Sequence, residues 1–477
     1  MMRASLPWVA LATLAWPSVA QANFWEIYGF DPRALGMANC QVAVADDFTA
    51  VFYNPAALTA GGRTGFGVGF TTSQPSLSLD FDQLPALEPL RPDGASALSF
   101  GTLFSLGSTR GVRKRLAMAL AFSLPTRSLL SGQAIDPAVP QWYLYQSLPQ
   151  RIVFALGLSA RPFDWLAIGA GVQVLAGLSG VLDYELDIVA GRFSKKTVIF
   201  DIEPVAAPLL GLELVPIEHL RLGVAYRADI ATGVDLPISL EITGVADLDV
   251  GTRFTVQYMP HHLVAGASYS WPELELLLTA ELGVMFWSAA PDPSVDSRID
   301  AAGDLLAGTG LAGALDVPAP GQERSVDLAF RDVLVPRIGI EQTFDILTVR
   351  AGYALKPSPA PVQTSGSNYI DGTAHQLGLG ASVRFSAPWD LFANPLILDV
   401  GGSLSVLPAR RHQKIDGSDP VGSYVAGGHV IAVGVALRYF FTEDSVEAPP
   451  APTPAVPEAR PAAAPEPRVP ARREPTP

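Results

Sequence analysis

Residues 165–182, WLAIGAGVQVLAGLSGVL, form a run of eighteen residues without a charge. Hydropathy alone predicts a transmembrane helix for such a run. Alternate positions indicate otherwise, because the even-numbered residues from Leu166 to Leu178 are apolar and the odd-numbered ones are mostly small or polar. Only a strand places two such sets on opposite faces, and four glycines also disfavour a helix. The run is therefore predicted to be a β-strand.

The same alternation recurs along the chain. It is found in residues 116–124, 273–286, 376–385 and 431–439. Soluble sandwiches also alternate, with the apolar face turned inward. Here strands of ten or more residues set faces of Leu and Val against charged residues such as Glu281 and Arg438, which favours an apolar face turned outward to lipid. The predicted fold is an all-β transmembrane antiparallel β-barrel.

Two kinds of connection separate the strands. Tight turns occur at residues 161–165, 215–219, 270–274 and 342–346, and longer Gly/Pro-rich links at 125–150, 288–331, 356–372 and 408–427. Short periplasmic turns alternating with long external loops are typical of bacterial barrels. Fourteen strands are predicted, near residues 63–72, 95–106, 116–125, 150–160, 165–189, 197–214, 219–236, 250–270, 273–287, 332–343, 346–356, 373–386, 396–407 and 428–441. Within 250–270, Pro260 must lie at a kink or bulge.

The chain ends are different in composition from this barrel. Residues 1–22 have the charge, apolar core and Ala20-Gln21-Ala22 cleavage site of a signal peptide. The tail is rich in Pro and Ala and is predicted to be extended, disordered and periplasmic, either a solvated spacer or a contact to the cell wall. The predicted parts are the signal peptide (1–22), an N-terminal hatch or plug (23–60), the barrel (61–441) and the tail (442–477).

Residues 30–58, FDPRALGMANCQVAVADDFTAVFYNPAAL, do not alternate with a period of two. They are too polar, and too interrupted by Gly36 and Pro55, to span a membrane. Asn54-Pro55 is a turn signal, since the residue before proline is biased out of the α region. A compact piece at the entry of a closed barrel is expected inside the lumen, as a plug in which Asn54 finds hydrogen-bond partners among lumenal Arg and Glu residues. The alternative is a plain turn into the first strand.

Composition and motifs narrow the class of protein further. Only 16% of residues are charged, which is low for a soluble protein, and the net charge of −14 argues against a nucleic-acid partner. Cys40 is the sole cysteine, so an intrachain disulfide and a multi-cysteine metal site are excluded. The adjacent His261 and His262 point to opposite faces of a strand and cannot chelate one metal together. Gly169-x-Gly171 is too short for a dinucleotide fingerprint and is explained by small side chains on the lumen face. Neither an enzyme nor a cofactor is predicted.

With a barrel predicted, the N-terminal stretch resembles the hatch of a known family. PRALGMANCQVAVADDFTAVFYNPAAL, directly after a signal peptide, is similar to the hatch of the long-chain fatty acid transporters, the FadL/TodX group of outer-membrane proteins. The hatch motif Asn54-Pro55-Ala56 is the most specific part of the resemblance. The family implies a fourteen-stranded barrel with a lumenal hatch, and passive uptake of hydrophobic molecules that leave sideways through the barrel wall.

One external loop offers candidates for ligand contact. Residues 125–150 are unusually apolar for an external loop, and an exposed apolar patch usually marks a binding surface. The alternative is that these side chains pack among other loops or form the upper aromatic girdle. The candidates are Leu129, Leu130, Trp142, Tyr143 and Tyr145.

A carboxylate ligand could also pair with a lumenal cation. The candidate cations are Arg151, Arg221, Arg227, Arg350 and Arg384. The alternative is that these arginines only balance lumenal Asp and Glu.

The sequence thus predicts an outer-membrane channel for passive uptake of hydrophobic compounds, with long-chain fatty acids as the leading ligand. An aromatic-hydrocarbon channel and a polar-solute porin or structural barrel are the alternatives. The expected partners are the hydrophobic ligand, outer-membrane lipids and lipopolysaccharide, and the expected state is a monomer.

Overall fold

The computed structural model describes residues 24–83, 91–106, 115–127, 139–146, 152–187, 192–242, 246–291, 296–302, 328–386, 392–415, 419 and 421–441. The predicted signal peptide and tail lie outside the described residues, as do Leu129, Leu130 and Arg151.

The described chain is mainly β-strand. Its strands are β1 (Gly65–Phe81), β2 (Ala95–Leu106), β3 (Leu116–Pro125), β4 (Gln141–Trp142), β5 (Val153–Phe163), β6 (Leu166–Asp187), β7 (Arg192–Ile217), β8 (Leu220–Arg227), β9 (Ile230–Ile242), β10 (Ala246–Met259), β11 (His262–Trp271), β12 (Leu276–Met285), β13 (Asp296–Ala302), β14 (Val333–Phe344), β15 (Leu347–Lys356), β16 (Tyr369–Ile370), β17 (Ala374–Phe385), β18 (Leu396–His412) and β19 (Tyr424–Phe440). The helices are α1 (Phe24–Tyr28), α2 (Pro32–Gly36), α3 (Ala50–Tyr53) and α4 (Tyr143–Gln146), with 3₁₀ turns at Pro55–Thr59, Pro272–Leu274 and Trp287–Ala289. Among the described residues, none of these helices has the length and hydropathy to cross a membrane.

Fourteen of the strands close into one antiparallel barrel. The ring runs β1-β2-β3-β5-β6-β7-β8-β11-β12-β14-β15-β17-β18-β19, and β19 returns to pair with β1 from Gly65↔Phe440 to Phe81↔Tyr424. Closure leaves no unpaired strand edge along the wall, which is what a membrane requires of a β-structure. The predicted fold and strand number are confirmed, and every predicted strand overlaps one strand of this ring.

Two predicted strands are wrong in extent. Residues 219–236 divide into β8 and β9, and residues 250–270 divide into β10 and β11 with Pro260 between them. In both cases only one of the two strands belongs to the barrel. The strand β9 pairs in parallel with β6 from Leu178↔Val234 onward, above the point where the pairing of β5 with β6 ends at Val153↔Leu175. A sheet of β6, β7, β9, β10 and β13 thereby extends beyond the barrel wall.

Alternation decides which side chains face outward. On β5, Leu158 is 56% exposed and Ser159 is 4% exposed; on β14, Ile338 is 57% exposed and Arg337 is 3% exposed. The apolar side chains therefore face the lipid and the polar ones face the lumen. The four predicted tight turns lie together at one end, called the turn end, and the long links lie at the other, called the loop end. In outer-membrane barrels generally, short turns lie at the periplasmic end and long loops at the outer end.

Candidate functional site

Residues 24–60 lie inside the barrel and are called the lumenal segment. Nearly all of their described side chains are buried. In the segment, Asp31 caps α2 by accepting a hydrogen bond from the Ala34 amide at 2.8 Å, and Pro32 occupies the first turn. The helix α2 contacts β15, β17, β18 and β19, whereas the 3₁₀ turn Pro55–Thr59 contacts β3, β5, β6 and β7. Since these two groups of strands face each other across the ring, the segment bridges the lumen.

Two wall glycines allow this close approach. At Gly169 on β6 a Cβ atom would overlap the Ala56 amide nitrogen and the Pro55 carbonyl, and at Gly378 on β17 it would overlap the Leu35 carbonyl oxygen. The clashes would be with backbone, which cannot swing aside like the tip of a side chain. Glycine at these two lumen-face positions therefore makes room for the segment.

Asn54, Pro55 and Ala56 attach the segment to the barrel wall. Asn54 is fully buried, and its Nδ2 donates to the carbonyls of Val42 at 2.9 Å and of Leu212 on β7 at 3.1 Å. Its Oδ1 accepts from the Ala56 amide at 3.2 Å. The Ala56 carbonyl in turn accepts from the Ser159 hydroxyl at 2.8 Å. The expectation that lumenal Arg or Glu would pair with Asn54 is wrong, because backbone groups saturate it.

Glu26 and Glu281 take part in buried contacts that join the segment to β8, β12 and β14. Glu26 on α1 accepts from Arg227 at 2.8 Å and from Arg337 at 2.5 Å. Arg337 also donates to Glu281 at 2.8 Å, and the other oxygen of Glu281 accepts the amides of Gln41 and Val42 at 3.0 and 2.9 Å. Buried charges are tolerable only when paired in this way. His262 is fully buried beside Glu26, with its Nδ1 3.6 Å from a carboxylate oxygen of Glu26.

A second set of ion pairs lies nearer the turn end. Arg33 on α2 bonds to Asp46 at 2.7 Å and to Glu341 on β14 at 3.1 Å. Further along the wall, Arg438 bonds to Asp47 of the segment at 2.5 Å and to Asp399 at 2.7 Å. The Arg33–Glu341 and Arg438–Asp47 pairs connect residues more than 300 positions apart in sequence and hold the segment to β14 and β19.

A narrow cavity of about 60 Å³ lies between the lumenal segment and the loop end. Its walls come from α1, α4, the end of β10 nearest the barrel, the loop-end portions of β12, β14, β15 and β17, and the link between β15 and β17. The lining is mainly apolar, with Ile27, Leu144, Tyr145, Met259, Met285, Trp287, Val333, Val335, Pro357, Pro359, Gly372 and Ala374. Four ionisable residues complete it: Glu26, Arg337, Lys356 and Asp371. An apolar lining with a few polar groups is the usual composition of a small-molecule site, and the volume of about 60 Å³ is below the roughly 300–1,000 Å³ of sites that hold drug-sized ligands.

The polar groups of this cavity differ in how they are satisfied. Lys356 donates to the carbonyl of Ile27 at 3.2 Å and to that of Glu26 at 3.5 Å. Asp371, in the link before β17, is 3% exposed. Burial raises the pKa of Asp371 to about 7, against the lowering influence of the Ser358 hydroxyl, the Gly372 amide and Arg410. Among the described residues, nothing donates a hydrogen bond to its Oδ1.

Three predicted ligand contacts fall within the described chain. Trp142 is 1% exposed and packs edge-on against Tyr145, with ring centroids 6.4 Å apart. Tyr143 packs edge-on against Phe330 at 4.9 Å and Trp287 at 6.2 Å. Tyr145 lines the cavity. The described part of the apolar loop therefore folds inward onto the lumen, and contact of these residues with ligand stays a prediction.

The predicted lumenal cations fall into two groups. Arg221 pairs with Glu213 at 2.5 Å, Arg227 with Glu26, and Arg350 with Glu341 and Asp399. Arg384 lies exposed at the turn end, beside a polar cavity of about 160 Å³. Of these cations, only Arg227 adjoins the apolar cavity, because it bonds to Glu26, which lines that cavity. Sequence reasoning missed Glu26, Lys356 and Asp371. Glu26 and Asp371 lie in the lumenal segment and in a link, which carry no strand periodicity, whereas Lys356 ends β15 on the same face as Arg350, so alternation could have placed it in the lumen.

No family model matches the chain. Over 460 residues it is 24% identical to alkane uptake protein A of Marinobacter nauticus, covering 90% of this chain and 94% of that protein. The structure of a Pseudomonas aeruginosa FadL homologue matches with a TM-score of 0.56 at 14% identity, over 89% of this chain and 100% of that one. A deletion mutant (deltaS2S3) of the TodX monoaromatic hydrocarbon channel matches with a TM-score of 0.51 at 13% identity, over 87% and 99% of the two chains. The likeness to these structures is one of fold.

Proposed function

We propose that this chain, which belongs to the FadL family of outer-membrane barrels, carries hydrophobic compounds passively across the outer membrane. The resemblance found in the sequence is confirmed by the sequence relative and the shared fold together. Among the similar proteins, one is named an uptake protein and another a channel.

The apolar cavity at the loop end is the observation that carries this proposal. It lies below Leu144 and Tyr145 of the apolar loop and above α1 of the lumenal segment. A ligand arriving from outside exchanges water for Met, Trp, Val and Pro side chains there. Each CH₂ that a ligand buries there contributes roughly 0.8 kcal/mol, so entry of the ligand needs no energy source.

The lumenal segment acts as the hatch of this channel. It bridges the lumen and is held by backbone contacts and buried ion pairs on several sides, which supports a closed resting state. Deleting residues 23–58 is expected to raise the conductance of single barrels in planar bilayers. An unchanged conductance in a correctly folded deletion variant would show that the segment does not block the lumen.

Long-chain fatty acids are the leading ligand from the family resemblance, and alkanes are the alternative suggested by the sequence relative. Lys356 supports the first, because it lines the cavity and its ammonium bonds to backbone carbonyls of the segment rather than to a described carboxylate. The apolar walls support both. Aromatic hydrocarbons, the cargo named for TodX, are the third class.

Uptake into liposomes tests the function. Liposomes containing the mature protein are expected to accumulate labelled palmitate or hexadecane faster than protein-free liposomes, while a labelled disaccharide enters at the protein-free rate. Sugar entry equal to or faster than that of the hydrophobic compounds would favour a polar-solute porin. No protein-dependent flux of any compound would favour a structural barrel.

Outer-membrane lipids and lipopolysaccharide surround the proposed channel, since Leu158, Ile338 and other large apolar side chains face outward. A monomer is the expected unit, and the Pro-rich tail is expected in the periplasm as a spacer or a contact to the cell wall.

A further inference from the structure

Asp371 is the unusual polar group of the apolar cavity. The cations around it are engaged elsewhere: Arg337 binds Glu26 and Glu281, and Arg410 donates to backbone carbonyls, including that of Asp371 at 3.4 Å. A buried carboxyl oxygen without a donor loses its hydrogen bonds to water and gains none in return, which is unfavourable. Among the described residues, nothing donates a hydrogen bond to Oδ1 of Asp371, and Asp371 lines the cavity.

A ligand that brings its own donor removes this cost. We propose that Asp371 is the head-group subsite of the cavity, where it receives the O–H end of a long-chain compound, either an alcohol or a carboxylic acid that keeps its proton. This inference rests on the proposed function, in that the chain of the ligand occupies the apolar walls. An alkane offers no donor to Oδ1, and a carboxylate anion brings a second negative charge.

The charge of Asp371 then sets the discrimination between head groups. Two carboxyl groups in one buried site share a single proton, because both cannot ionise side by side. The pKa of Asp371 is about 7, so its neutral fraction falls about tenfold between pH 6 and pH 8. Binding of an ionised fatty acid should weaken by the same factor as the pH rises, whereas binding of an alcohol should not.

Other ionisable groups border the same space. Tyr145 on α4 and Arg410 on β18 neighbour Asp371 directly, and Glu26, Arg337 and Lys356 lie elsewhere on the cavity wall. All of them remain when Asp371 alone is replaced. A comparison of the wild type with Asp371→Asn therefore isolates the contribution of Asp371 from theirs and from the titration of the ligand.

The test measures binding to the purified mature protein in detergent by tryptophan fluorescence, since Trp287 lines the cavity. The probes are dodecane, dodecan-1-ol and dodecanoate, at pH 6 and pH 8. Asp371→Leu removes the acceptor, and Asp371→Asn keeps an acceptor but removes the charge. Asp82→Asn is the matched control, because Asp82 pairs with Arg411 on the surface at 2.5 Å and lies outside the cavity. Heat-modifiable gel mobility verifies that each variant is folded.

The wild type and Asp82→Asn are expected to bind dodecan-1-ol about tenfold more tightly than dodecane, the factor of a net hydrogen bond of about 1.4 kcal/mol. Asp371→Leu should lose that preference. Dodecanoate binding should fall about tenfold from pH 6 to pH 8 in the wild type and stay level in Asp371→Asn.

The inference is overturned if folded Asp371→Leu keeps the alcohol preference, or if Asp371→Asn shows the same pH dependence as the wild type. A wild type that binds none of the three probes would instead refute the proposed function. Variants that do not fold are replaced by Asp371→Ser, which retains a small hydroxyl and should likewise flatten the pH profile.

Discussion

Replacing Glu281 with Gln is expected to release the lumenal segment from the wall. One carboxylate oxygen of Glu281 holds Arg337 at 2.8 Å, and the other accepts the amides of Gln41 and Val42 at 3.0 and 2.9 Å. Its side chain is 2% exposed, so water does not screen these bonds. A neutral amide offers one acceptor where the carboxylate offers two, and it leaves Arg337 with a buried charge that only Glu26 compensates.

The expected rise in the undocked population of the segment follows from this loss of charge. Breaking one partner of a buried ion pair costs about 3–5 kcal/mol. At 1.36 kcal/mol for each factor of ten, the undocked population of the segment should rise by about 150- to 5000-fold, provided that the cost is borne by docking.

Cys40 offers a native probe of that population. It is the sole cysteine, fully buried in the segment with its Sγ 3.6 Å from the Thr279 hydroxyl. Its rate of labelling by a small thiol reagent should follow the undocked fraction when docking is fast. Glu273→Gln, an exposed carboxylate in the nearby turn, is the control and should label at the wild-type rate. If folded Glu281→Gln labels as slowly as the wild type, Glu281 does not hold the segment in place.

Two further predictions use the same contacts. Gly169→Ala should speed labelling of Cys40 by about 5- to 150-fold, the range that corresponds to about 1–3 kcal/mol of overpacking against the segment backbone. Gly366→Ala is the control and should label at the wild-type rate, because the space around its Cβ is open. Equal labelling rates in the two variants would refute the close approach of the segment to Gly169. Asn54→Ala should lower the temperature at which the barrel loses its heat-modifiable gel mobility. The substitution removes the hydrogen bonds to the buried carbonyl of Val42, at about 1–3 kcal/mol, and to the part-buried carbonyl of Leu212. An unchanged temperature would show that neither bond stabilises the fold.

The sequence alone predicted the barrel, because each membrane-spanning strand shows a local alternation of apolar and polar residues. A side chain that faces lipid must be apolar and its neighbour need not be, so the period of two is visible at Leu158 and Ser159 without knowledge of any partner strand. Tight turns and long links gave the order of the strands, and their number is confirmed. The rule failed at residues 219–236 and 250–270, since a strand that leaves the wall and pairs above it, as β9 does with β6, alternates in the same way.

Only the tertiary structure decided how the lumen is filled. Arg33 meets Glu341 and Asp47 meets Arg438 across more than 300 positions of sequence, and such pairings depend on where the closed ring brings each strand. The cavity likewise needs α1, α4 and the ends of several strands at once, so no single stretch of sequence records Asp371 as its polar wall. Local alternation fixes which way each residue faces, but the groups it then meets are set by closure of the barrel.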